Sequence, residues 1–207
     1  MKILFYKGLS NLISLFKLGS NIKNQNVILL FHSILDRGSI SKNIYELNTE
    51  TFEKLIKFLI ANFNFESFDN CFSRCGKIIL TFDDGYLNNL KNAYPILAEN
   101  NIPFHLFAAT DLIESGDSKY LNKNQLKELS SYKNVSIGSH GKSHNKLTKI
   151  SQNNLKKELD FSKKYLEDLT GKTINTISFP HGAYNESVIN EIKNKNFSKA
   201  ASSIFGS

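Results

Sequence analysis

Cysteine, long apolar runs and clustered positive charge are all scarce in this 207-residue chain, and each scarcity narrows what the protein can be. The two cysteines, Cys71 and Cys75, are spaced neither as a Cys-x-x-Cys redox motif nor as half of a zinc ribbon. They read as two semi-buried thiols and point weakly to a reducing compartment. No stretch approaches the roughly 18 apolar residues of a membrane span. The net charge of +7 comes from 26 Lys+Arg against 19 Asp+Glu and is nearly all lysine spread along helix faces. That is a solvated surface, not the tight basic patch of a nucleic-acid binder. What is present, 41% hydrophobic and 22% charged residues, is ordinary for a globular protein and sufficient for one sizeable core.

Residues 1–26 stand apart. Ile3, Leu4, Phe5, Leu9, Leu12, Ile13 and Phe16 recur at helical spacing, which predicts an amphipathic helix over 1–18 followed by a polar linker. Packing against the domain is the simpler role for this helix. Peripheral contact with a membrane is the alternative. Polar interruptions and the lack of a small-residue cleavage site argue against a signal peptide, so the expected location is the cytoplasm, with secretion left open.

Residues 27–207 read as one α/β domain. Apolar runs at Val27–Phe31, Lys77–Phe82, Phe104–Ala109, Val135–Ile137 and Thr173–Phe179 predict short buried strands, with a last one from Lys199 to Ile204. Between them lie helical patterns: one that Thr49 can cap, one over Asn88–Glu99, one over Asn122–Ser130, a long one between Ser151 and Gly171, and one from Asn185. Six or seven strand–helix units argue for a parallel sheet.

The chemistry gathers where strands end. Lys77-Ile-Ile-Leu-Thr-Phe runs into Asp83-Asp84-Gly85, placing two acids at a strand's carboxyl end, where open α/β folds and barrels keep their sites. Two adjacent carboxylates repel and call for a cation. His140 and His144, four apart after another short strand, are suitable partners: two imidazoles and a carboxylate with open positions form a catalytic-metal pattern. In that arrangement Asp84 joins His140 and His144 as metal ligands, and Asp83 stays free as a general base for the attacking water. Pro180-His181-Gly182 fixes a loop after a strand and can form a wall of the same rim with an exposed N–H. His32, ending a strand, can donate a proton to a leaving amine. His105, inside an apolar strand, reads as a core residue.

Thr81-Phe-Asp-Asp-Gly-Tyr86, Ser139-His-Gly-Lys-Ser-His144 and Phe179-Pro-His-Gly182 resemble, in order and separation, three motifs of the polysaccharide deacetylases, the NodB-type domain of carbohydrate esterase family 4. The likeness spans roughly residues 27–204. It implies a distorted (β/α)7 barrel, a divalent metal, usually zinc, and hydrolysis of N-acetyl groups on amino sugars of a glycan. By position it makes Asp83 the base and Asp84, His140 and His144 the ligands, and gives the His181 N–H to the oxyanion hole. Two departures stand out. Ser178 occupies the place where many members have a base-orienting Arg, and no late Leu-x-His motif supplies the general acid. The chain is also similar to the circularly permuted poly-N-acetylglucosamine deacetylases, whose acid histidine ends an early strand, and this implies that role for His32. An O-acetyl esterase, a non-sugar amide hydrolase and a non-catalytic glycan-binding module are the alternative readings.

Overall fold

The computed structural model describes the backbone of residues 2–5 and, in full, residues 26–72 and 76–203. An all-parallel sheet runs through it, in the order β1-β2-β6-β7-β8-β9-β10. Its strands are β1 (Lys2–Phe5), β2 (Val27–Phe31), β6 (Lys77–Asp84), β7 (Phe104–Ala108), β8 (Val135–Ser139), β9 (Thr176–Ser178) and β10 (Lys199–Ala201). A two-residue strand, β5 (Asn64–Phe65), adds to β6, and β3 (Ser33–Leu35) pairs with β4 (Glu46–Asn48) in a separate parallel ribbon.

The strands are continuous apolar runs because a parallel sheet is buried on both faces. On one face Leu29, Phe31, Leu80, Phe82, Leu106 and Ala108 join the main core beneath the helices. On the other, Ile28, Leu30, Ile79, Phe107 and Ala201 close around Phe68 and Cys71. The sheet curls about this second cluster into a half-barrel, in keeping with the distorted (β/α)7 barrel that the resemblance implies. Among the described residues it stays open between β1 and β10.

The helices are α1 (Thr49–Asn62), α2 (Tyr94–Glu99), α3 (Thr110–Glu114), α4 (Lys123–Ser131), α5 (Gln152–Thr170) and α6 (Glu186–Asn194). Ser151 caps α5 through the Asn154 N–H, and Gly171 ends it in the left-handed conformation at φ 68°, as its sequence predicts.

Three expectations need correction. Lys2–Phe5 is a strand paired with β2, not the start of a helix, and the rest of the expected 1–18 helix lies outside the described residues, as does Cys75. Parallel pairing to an already buried strand has overridden the helical periodicity of those four residues. Asn48, not Thr49, caps α1: its Oδ1 accepts from the Thr51 N–H at 2.9 Å, while Thr49 is already the first helical residue and its hydroxyl donates to the Leu35 carbonyl at 2.7 Å. The helix expected over Asn88–Glu99 opens with a π-helical turn, Asn89–Ala93, before Pro95 enters α2. His140 and His144 sit on the loop that leaves β8, one of the two arrangements their spacing allows. No described helix is long and apolar enough to cross a membrane.

Candidate metal and catalytic site

Register brings the site residues to one rim. Phe31 lies beside Phe82, Asp84 beside Ala108, Ala108 beside Ser139, and Ser178 beside Ala201. The carboxyl ends of six strands therefore lie close to one level, and loops leaving them face one cleft. It has a volume of about 360 Å³, and His32, Tyr45, Asp83, Asp84, Tyr86, His140, His144, His181 and Ser203 line it.

Asp83 and Asp84 are consecutive in β6, so a regular strand would send their side chains to opposite faces. Asp84 instead has φ 74° and is followed by Gly85 at φ 85°. The left-handed residue ends the strand and turns both carboxyls into the cleft. His144 (φ 59°) and His181 (φ 58°) have the same backbone conformation. Such conformations cost of order 1–3 kcal/mol each in non-glycine residues and gather at functional sites.

His140 Nε2 lies 3.4 Å and His144 Nε2 3.1 Å from Asp84 Oδ1. The three ligand atoms fall within 4.8 Å of one another. His140 Nδ1 is 2.9 Å from the Ser178 carbonyl, which can only accept, so the proton sits on Nδ1 and the Nε2 lone pair faces Asp84. Burial drives the His140 pKa down to about 3, which keeps the ring neutral. Two further buried atoms lack a hydrogen-bond partner, Asp83 Oδ1 and Asp84 Oδ1. A neutral imidazole lone pair set against carboxylate oxygens, with buried acceptors unpaired, is a donor set that fits a divalent cation.

Asp83, 2% exposed, lies 3.8 Å from His140 Nε2 through Oδ2, and that same oxygen accepts a hydrogen bond from Ser178 Oγ at 3.0 Å. Burial and the Asp84 charge push its carboxyl well above the usual range, against the Ser178 hydrogen bond. Burial also acts upward on Asp84, but the imidazoles around it outweigh this and hold it below the usual range. The His32 ring packs edge-on to Tyr45 at 4.8 Å. Burial lowers its pKa, and the Asp84 charge opposes that shift.

The histidine loop is held by a residue the sequence does not single out. Glu158 of α5, buried, accepts from the Lys142 N–H (3.0 Å), the Ser143 N–H (2.5 Å) and the Ser143 hydroxyl (2.7 Å). Gly141 (φ 74°) makes the turn, and a Cβ there would meet Glu158 Oε1 at 3.4 Å. From the other side the Lys142 ammonium bridges both oxygens of Asp111, at 2.9 Å each. The third loop is tied by the Ser202 hydroxyl to the Gly182 carbonyl, and His181 Nε2 lies 3.1 Å from the His144 carbonyl. His105 is elsewhere, buried under the sheet with Nε2 2.9 Å from Thr176 Oγ1. The structure therefore brings Asp83, Asp84, His140, His144, His32 and His181 into one cleft and leaves His105 out of it.

A curled parallel sheet with paired carboxylates and two histidines at its carboxyl rim defines an α/β protein with a candidate metal site. Residues 73–200 match the family model for polysaccharide deacetylase, and the chain belongs to that family. A Staphylococcus aureus relative named poly-beta-1,6-N-acetyl-D-glucosamine N-deacetylase is 30% identical over 125 residues, covering 55% of this chain and 43% of that protein. The chain spans only 39% and 43% of the lengths of the first curated relatives it matches. Among solved structures, a polysaccharide deacetylase from Bacillus cereus superposes with a TM-score of 0.74 at 26% identity, over 86% of this chain and 58% of that one. A Streptococcus pyogenes deacetylase solved with acetate gives 0.74 at 24% identity, over 84% and 81%, and speaks for the fold.

Proposed function

We propose that this chain removes N-acetyl groups from amino sugars of a polysaccharide or glycan precursor, with a divalent metal, most simply zinc, held by Asp84, His140 and His144. One observation carries the reading: Asp84 Oδ1 and the Nε2 atoms of His140 and His144 converge within 4.8 Å, and the His140 Nδ1–H bond to the Ser178 carbonyl leaves the Nε2 lone pair of that ring facing the carboxylate. The name of the Staphylococcus aureus relative supports an N-acetylglucosamine polymer as substrate. The metal, when bound, supplies Lewis acidity toward the acyl oxygen and the attacking water.

The protein's own groups do the rest. Asp83, raised above the usual carboxylate range, is a stronger base than an exposed aspartate and takes a proton from water as its oxygen adds to the acyl carbon. The backbone N–H of His181 faces the developing oxyanion. His32 protonates the departing nitrogen as the C–N bond breaks, leaving acetate and a free amine. Its lowered pKa makes it a ready donor once charged. Acetate release from N-acetylglucosamine oligomers tests this. The rate should vanish with a chelator and fall at least 100-fold in Asp83→Asn, in line with the usual worth of general acid–base catalysis. An unchanged Asp83→Asn rate contradicts it.

A further inference from the structure

β3 follows His32 directly and is paired on one side only, with β4. Its other side has no strand neighbour among the described residues. Three asparagine side chains take that place. The Ile34 N–H donates to Asn88 Oδ1 at 3.1 Å, and Asn92 Nδ2 donates to the Ile34 carbonyl at 2.7 Å and to Asp36 Oδ1 at 2.9 Å. Asn88 Nδ2 donates to Ser33 Oγ at 2.8 Å, and Asn89 Nδ2 to the His32 carbonyl at 2.7 Å. Asn89 is fully buried. All three lie just after Asp83-Asp84, and Asn89 and Asn92 belong to the π-helical turn Asn89–Ala93. Single π-helical turns are rare and recur at functional sites.

His32 and Asn89 are 57 residues apart in the chain, so connectivity alone does not set where His32 stands relative to the two aspartates. The β2–β6 register brings Phe31 beside Phe82, and beyond that last pair the asparagine ladder holds His32 and the segment that follows it. We infer that Asn88, Asn89 and Asn92 are positioning residues for His32: they bind the backbone of its segment to the turn that follows Asp83 and Asp84. Donor and base are thereby held in one frame. The inference rests on the proton-donor role of His32 proposed above. Buried main-chain groups need partners, and side-chain amides that supply them on only one edge make a specific and breakable joint.

The readout that separates positioning from general stability is the leaving group. An N-acetylglucosamine amide needs a proton on nitrogen, whereas an aryl acetate leaves without one. In Asn89→Ala, kcat for the amide should fall by up to roughly 100-fold, as a displacement of about 1 Å in a reacting group can cause. Aryl acetate turnover, KM and bound metal should stay near wild type. Asn92→Ala, at a half-buried site, should shift the amide-to-ester ratio the same way by less, and decides the matter if Asn89→Ala does not fold. His32→Ala is the reference, with the largest shift in that ratio. Folded, metal-loaded Asn89→Ala or Asn92→Ala with a wild-type ratio, beside a shifted His32→Ala, overturns the positioning role alone. An unshifted His32→Ala overturns the proton-donor reading and the inference with it.

Discussion

Ser178 holds Asp83 with its hydroxyl, at 3.0 Å, while its carbonyl takes the Nδ1 proton of His140 at 2.9 Å. One buried residue therefore orients both the candidate base and a candidate ligand, by two different groups. The two contacts can be separated, because Ser178→Ala removes the first and keeps the second. That variant should retain its metal and its KM while kcat drops roughly 5- to 15-fold, the worth of one hydrogen bond of about 1–1.5 kcal/mol. Ser178→Thr should recover part of the loss. Loss of metal together with activity in Ser178→Ala would contradict the division of roles.

Glu158 gathers three donors from the loop between the two histidines. In Glu158→Ala those donors lose a buried acceptor, at about 1–3 kcal/mol for each one left unpaired. The loop then no longer presets His144 beside Asp84. Metal affinity should weaken by roughly 10- to 100-fold, the usual cost of removing a partner that orients ligands. Isothermal titration of the metal-free protein checks this.

Gly138, inside β8, has no room for a side chain. A Cβ would stand 2.5 Å from Thr176 Oγ1, 2.6 Å from His105 Nε2 and 2.6 Å from Phe107 Cδ1. All three belong to packed neighbouring strands, so Gly138→Ala should cost about 1–3 kcal/mol or more through overpacking. A lowered midpoint in urea unfolding is the expected result.

His105 gives the fold a pH dependence of its own. Burial lowers its pKa to about 4, against the pull of Asp69 and with the push of Lys199. Between pH 6.5 and 4 the unfolded chain binds a proton there that the folded chain does not. Its contribution is therefore complete above pH 6.5 and declines as pH falls toward 4, by roughly 3 kcal/mol in all. His105→Gln should flatten that part of the profile relative to wild type, measured by urea unfolding at pH 7 and pH 4.5.

Much of this was legible in the chain because the chemistry sits at strand ends. The apolar runs ending at Phe31, Asp84 and Ser178 mark buried parallel strands, and the polar residues beyond them fall at one rim by the geometry of a parallel sheet. The participants that were not legible act across long separations with common residue types. Glu158 lies on the buried face of a helix rich in lysine, among Leu155, Leu159, Ser162 and Leu166, and the Asn88–Asn92 group looks like loop composition. Each becomes meaningful only through a main-chain partner 15 to 58 residues away. Three asparagines within six residues of Asp-Asp-Gly-Tyr, at 88, 89 and 92, were the available signal. The strand at Lys2–Phe5 was hidden for the opposite reason, since four residues are too few for a period of 2 to stand out against one of 3.6.

The central claim is that Asp84, His140 and His144 hold the ion on which acetate release depends. It is tested most directly by titrating zinc into chelator-stripped protein and following acetate release from an N-acetylglucosamine oligomer alongside bound metal. The account predicts that the rate rises in step with occupancy of a single site in the wild type, and that His140→Ala shows neither binding at that site nor turnover. Acetate release at full rate in the stripped protein, or undiminished tight binding in His140→Ala, would contradict it.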